Sequence, residues 1–151
     1  MGDSTEARAI NYAEQVLAVH DVYNEAKQAT ASLKHLFAAE AAYAARKREL
    51  AEAIADRTSM VTSELRAKYN DLSATAFKPV LDLALQDDPD LKRLRFQMVS
   101  TQHEHDKCSG EIKSTEAFVR VLTARMENLN GLLNFYAAVK TTKSTTTKPS
   151  S

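Results

Sequence analysis

The sequence predicts an all-α fold, a long helical hairpin or coiled coil with a short intervening helix, assembling into an oligomer. Three observations carry this. From Asp88 to Lys140 an apolar 3-4 repeat holds one register: Leu91, Met98, His105, Ile112, Val119, Met126 and Leu133 share one heptad position, and Leu94, Thr101, Cys108, Thr115, Leu122, Leu129 and Tyr136 share the position three residues later. A strict 3.5-residue period keeps one narrow stripe facing a partner helix, a constraint that an ordinary globular helix with a drifting 3.6 period does not carry. No glycine or proline lies between Gly2 and Pro79, and the 151 residues hold only three Gly, three Pro and no Trp. That is too few turn formers for a β-rich fold, which turns about every 8–12 residues.

Taken in order, the first element is helical from near the amino terminus. Asp3 with Glu6 resembles a capping box, followed by an apolar face of Tyr12, Val16, Val19, Tyr23 and Ala26. A second face runs through Leu33, Leu36, Phe37, Tyr43, Leu50, Ile54, Val61, Leu65 and Tyr69. The pattern fits one very long helix or two with a hinge near Thr30 to Ser32. The polar cluster Asn70 to Thr75 ends the arm, Pro79 opens a short helix carrying Val80, Leu81, Leu83 and Leu85, and Gln86 to Asp88 ends that. Asp88-Pro89-Asp90 is a strong start signal, with an N-cap carboxylate, a proline at the first helical position and negative charge at the positive end of the dipole. A helix from Pro89 to Lys140 is on the order of 75 Å long, so it is buried economically only along another long helix. Gly110 and Gly131 interrupt its propensity but not its register. The expected organisation is residues 1–88 as a helical arm plus connecting helix, 89–140 as the long heptad helix and 141–151 as a disordered basic tail. The carboxy-terminal seam, Leu122, Met126, Leu129, Leu133 and Tyr136, is the expected oligomerisation surface.

An enzymatic site is not expected. His103, Glu104, His105 and Asp106 form the one cluster that draws the eye, but His103 and His105 diverge by about 200° on a helix. Helical metal sites use ligands three or four apart. No phosphate loop or nucleophile elbow occurs, and neither metal nor cofactor is expected. Cys108, on the seam, reads as a buried core thiol. No run approaches the roughly 18 apolar residues that span a bilayer, and Met1 to Glu14 lacks signal-peptide character, so the expected location is cytoplasmic and no membrane partner is expected. Lys plus Arg equals Asp plus Glu at 20 each, so any polyanion binding must come from a local patch. Arg46, Lys47 and Arg48 form one, and Arg66 and Lys68, flanked by Leu65 and Tyr69, form another. Glu49, Glu52, Asp56 and Glu64 are interleaved, which fits a salt-bridged helix face equally well.

At these residues the chain resembles the phage recombination-mediator family of UvsY-like proteins. Leu33 to Tyr43 (LKHLFAAEAAY) is similar to the family's first arm, Leu65 to Tyr69 (LRAKY) to the basic segment ending it, and Glu116 to Phe135 (EAFVRVLTARMENLNGLLNF) to its carboxy-terminal helix. The resemblance implies a homo-oligomer in the host cytoplasm that binds single-stranded DNA through Arg66 and Lys68. It implies loading of a RecA-like recombinase, with a single-strand-binding protein as a further partner. The family's glycine after the basic segment is absent here. The alternatives from other classes are a structural or scaffolding coiled-coil protein, virion or chaperone-like, and a helical inhibitor of a host protein.

Overall fold

The computed structural model describes residues 3–144, with side chains described for residues 7–135, 137 and 138. Three helices account for the described residues, with no strand among them: α1 (Asp3–Lys68), α2 (Ala74–Asp87) and α3 (Pro89–Ser144). The all-α class is as expected, and α1 is one helix with no break at Thr30 to Ser32. The chain divides into two compact units, Met1–His35 with Ile112–Ser151, and Leu36–Glu111. In each, a segment of α1 packs against a segment of α3.

The register of α3 is the one read from its heptads. Leu91, Cys108, Ile112 and Leu122 are buried, and Leu94, Met98, Thr101, His105, Thr115, Val119, Met126, Leu129 and Leu133 are half-buried. Tyr136 belongs to the same pattern, but its side chain lies outside the described residues. The partner stripe on α1 is also a seven-residue repeat. Gln15, Val22, Ala29, Leu36, Tyr43, Leu50 and Arg57 fall on one position, and Val19, Ala26, Leu33, Glu40, Lys47, Ile54 and Val61 on the other. All fourteen are buried or half-buried. The larger residues expected on this face, Tyr12, Val16, Tyr23 and Phe37, are exposed instead. Ala26 is half-buried and Ala29 buried on this stripe, and such small residues permit close helix approach.

In the unit Leu36–Glu111, the core is Leu50, Val61, Phe77, Leu91 and Cys108. Two bonds across the helix pair fix its register: the Cys108 thiol donates to the Leu36 carbonyl at 3.3 Å, and the Ser109 hydroxyl donates to the Glu40 carboxylate at 2.5 Å. Burial first, then the nearby carboxylates of Glu40 and Glu111, push the Cys108 thiol above its ordinary range, which keeps it protonated and unreactive. His105 is the weak point of the seam. Its Nδ1 is buried with no hydrogen bond, and the nearest carboxylate oxygen, on Asp106, is 3.7 Å away, beyond bonding range. His105→Leu removes that cost and restores an aliphatic knob, so it is expected to add about 1 kcal/mol. Thermal unfolding should register this as a rise of about 2–4 °C; a fall would show that the imidazole makes a stabilising bond.

α2 starts earlier than expected. Ser73 is its N-cap, with Oγ accepting from the Ala76 N–H at 3.3 Å, and Pro79 lies inside the helix instead of opening it. The hydroxyl supplies a stronger start than proline, which cannot contribute a donor to the ladder. Asp88 does what its position in Asp-Pro-Asp implies and more. Its backbone N–H closes α2 on the Ala84 carbonyl at 2.9 Å, and its Oδ1 accepts the Leu91 N–H at 2.9 Å to cap α3. Both carboxylate oxygens also take Arg57 of α1, Nη2 to Oδ2 at 2.7 Å and Nε to Oδ1 at 3.3 Å. One residue thus ties together all three helices of this unit, its backbone closing α2 and its side chain joining α3 to α1.

In the other unit the core is smaller: Val22, Ala29, Ile112 and Leu122 are its buried apolar residues. Gln15 occupies a seam position there with its buried Oε1 unpaired. α3 runs four residues past Lys140, to Ser144. Residues 141–144, expected in the tail, are therefore helical, and 145–151 lie outside the described residues.

Candidate nucleic-acid and assembly surfaces

The basic residues singled out in the sequence do not form one surface. Arg66 is turned inward along the chain: its guanidinium stacks 4.5 Å over the Phe77 ring and its Nη1 donates to the Leu72 carbonyl at 3.4 Å. It secures the turn between α1 and α2. The Tyr69 N–H bonds the Leu65 carbonyl at 2.9 Å, so the chain is helical here and Arg66 and Lys68, two residues apart, diverge by about 200°. Lys68 lies 5.4 Å over the Tyr69 ring. Arg46 pairs with Glu49 at 3.0 Å in an exposed i,i+3 bridge, an interaction worth about 0–1 kcal/mol that phosphate can displace. Lys47 is half-buried on the α1 seam, and Arg48 is exposed. Of the five, Arg48 and Lys68 are the ones that have no ion pair, no seam position and no side-chain hydrogen bond among the described residues.

Of the expected assembly residues, Leu122 is buried, and Met126, Leu129 and Leu133 are half-buried on the face that meets α1 of the same chain.

What remains exposed is a second set of apolar residues. On α3 of the smaller-core unit, Phe118, Val121 and Leu132 lie outside the seam, with Val121 at 64% exposure. On α1 of that unit Ile10 and Leu17 are seven residues apart, as are Val16 and Tyr23, and all four are exposed. The other unit exposes Phe96 at 75% and Val99 at 70%, one turn apart on α3. Scattered exposed apolar residues are normal, but repeats at heptad spacing form stripes, and stripes mark interfaces.

The sequence reading missed one basic feature. Lys27 and Lys34 line a groove of about 400 Å³ between α1 and α3, together with Tyr23, Ala26, Ala31, Val119 and Met126. The signal was present as an acid-free window, since no Asp or Glu occurs between Glu25 and Glu40. Its two lysines, seven residues apart on α1, look unremarkable until the α3 side of the groove is in place.

Among the described residues no group of His, Cys, Asp and Glu is arranged to hold a metal. No helix among them is long and apolar enough to cross a membrane. No family model, curated protein or solved structure matches this chain.

Proposed function

We propose that this chain is a non-enzymatic helical protein that assembles with copies of itself, binds single-stranded DNA and serves to load a RecA-like recombinase on it. The observation that carries the assembly is the second apolar stripe. The α1–α3 seam is satisfied within the chain, yet Ile10 and Leu17, seven residues apart on α1, and Phe118 and Val121, one turn apart on α3, are exposed outside it. Their burial against another copy removes apolar area from water at about 25 cal/mol per Å². Support for the DNA half comes from the resemblance at LRAKY and the carboxy-terminal helix, and from cations that form no ion pair among the described residues: Lys27, Lys34, Arg48 and Lys68. Repetition around an oligomer multiplies such contacts, so modest patches on one subunit add up to useful affinity.

A second reading is a coiled-coil scaffold with no nucleic-acid role. Arg66 bound to Leu72 and Phe77, and Arg46 bound to Glu49, favour it, because cations used internally are not held out for phosphate.

Native mass, measured alone and with an oligonucleotide, separates these. The wild type should exceed 16.7 kDa severalfold and gain the mass of bound strand. Val121→Glu and Phe96→Glu each place a carboxylate in an apolar patch where burial is costly, so at least the former should lower the native mass while helical content stays the same. A wild type that is monomeric at micromolar concentration removes the assembly reading, and an oligomer that ignores the oligonucleotide leaves the scaffold.

A further inference from the structure

We propose that the groove between α1 and α3 in the unit Met1–His35 with Ile112–Ser151 is a strand-binding site. Lys27 and Lys34 hold successive phosphates of a single-stranded nucleic acid there, with a base laid against Tyr23. This rests on the DNA-binding reading above and gives it a location other than Arg66 and Lys68.

The first argument is charge. Lys27 and Lys34 are exposed and seven residues apart, so both rise from one side of α1, separated by about 10.5 Å along the axis. Neither has an ion-pair partner among the described residues, unlike Arg46, Arg57, Lys92 and Arg93, which all do. No carboxylate lines the groove. Asp21 and Glu25 on α1 and Glu116 and Glu127 on α3 are the acids nearest in sequence to its lining residues, and Arg120 and Arg125 lie between the latter two.

The second argument is the floor. Ala26, Ala31, Val119 and Met126 form an apolar bed between the cations. The two threonines there are not free donors, since Thr30 Oγ1 donates to the Ala26 carbonyl at 2.8 Å and Thr123 Oγ1 to the Val119 carbonyl at 2.9 Å. A duplex keeps its bases inside and presents phosphates and groove edges. A single strand presents phosphate and unstacked base together, which is what cations above an apolar bed accommodate. Tyr23, 53% exposed at the groove's end, supplies the aromatic face on which a base stacks without regard to sequence.

The third argument is length. The lining on α1 runs from Tyr23 to Lys34, about 16 Å of helix. That matches a few nucleotides and is short for a docked partner helix, which needs on the order of 1,000 Å² of total buried surface.

The test is fluorescence anisotropy of a labelled oligothymidylate over a salt series, with native mass and circular dichroism recorded for every variant. Lys27→Ala with Lys34→Ala should weaken binding at least tenfold and lower the salt slope by about 1.4, roughly 0.7 for each lost phosphate contact. The double Arg variant at the same positions should retain affinity, because only charge is needed. Tyr23→Ala should cost about fivefold or more, while Arg66→Ala with Lys68→Ala should cost less than the groove variant. If the wild type binds and the double Ala variant binds equally well, the groove is not the site, although the protein remains a DNA binder. If the wild type shows no binding at low salt, both the site and the function fall. If the double Ala variant changes the native mass, the groove seats a second copy of the chain and the strand site is overturned.

Discussion

Leu91→Ala and Leu50→Ala should each destabilise the protein by about 2–5 kcal/mol, the usual cost of deleting a fully buried leucine and leaving a partly collapsed cavity. Leu91 is 0% exposed and Leu50 is 1% exposed, the two most enclosed leucines of the unit Leu36–Glu111. The expected fall in Tm is about 4–20 °C at this chain length. Leu91 lies in the first turn of α3, two residues after Pro89, with its N–H held by the Asp88 carboxylate at 2.9 Å. Shrinking its side chain therefore loosens the helix start as well as the core. Leu83→Ala is the matched control, since Leu83 is 60% exposed and should change stability by no more than about 0.5 kcal/mol. Urea denaturation checks the set, and a Leu91→Ala midpoint equal to the wild type's would place Leu91 outside the core.

Asp88→Ala is expected to have the second largest effect, because this one side chain both caps α3 and binds Arg57 of α1. It removes the cap on Leu91 and both acceptors of the Arg57 fork at once. Arg57 is left with Asp90 at 3.8 Å as its remaining partner, a poor substitute for a forked bond. The pH dependence follows from the same contacts. The Arg57 hydrogen bonds first, then the Leu91 N–H, hold the Asp88 carboxyl below its ordinary 3.8, against the opposing effect of its burial. The unfolded chain therefore binds the proton more readily than the folded one. This contribution to stability is fully present above the ordinary carboxylate range and is lost as pH falls through 3.8 toward the folded value. The Arg57 guanidinium, pushed up by the same pair, stays charged throughout. The wild type should lose stability on acidification from about pH 5 downward, and Asp88→Asn, which keeps the cap but not the charge, should show a flatter profile. Lys92→Ala, which breaks the exposed bridge to Asp87, should matter little by comparison. An Asp88→Ala Tm that falls no further than that of Lys92→Ala would show that the three-helix junction is held by apolar packing alone.

The helices and the α3 register were legible because both are local. Periodicity, the absence of Gly and Pro over a long stretch, and the Asp-Pro-Asp start depend only on neighbours within a turn or two, and α3 buries the stripe that its heptads define. The Ser73 cap was local as well, but proline drew the reading away from it. The α1 stripe was not legible in the same way. Its seam contains Gln15, Glu40, Lys47 and Arg57, so hydropathy alone pointed to the bulkier neighbours Tyr12, Val16, Tyr23 and Phe37. Only the opposing helix decides the outcome: Ser109 accommodates Glu40, Asp88 accommodates Arg57, and Ala26 and Ala29 permit close approach, with the aromatics left outside. The same cause reassigns the basic residues. Sequence places Arg66 next to Lys68, whereas packing turns Arg66 onto Phe77 of the next helix and sets Lys27 and Lys34 over a groove that α3 completes. Helical state is an intramolecular, short-range property of the sequence, while the partner of each side chain is fixed by residues that fold back from dozens of positions away.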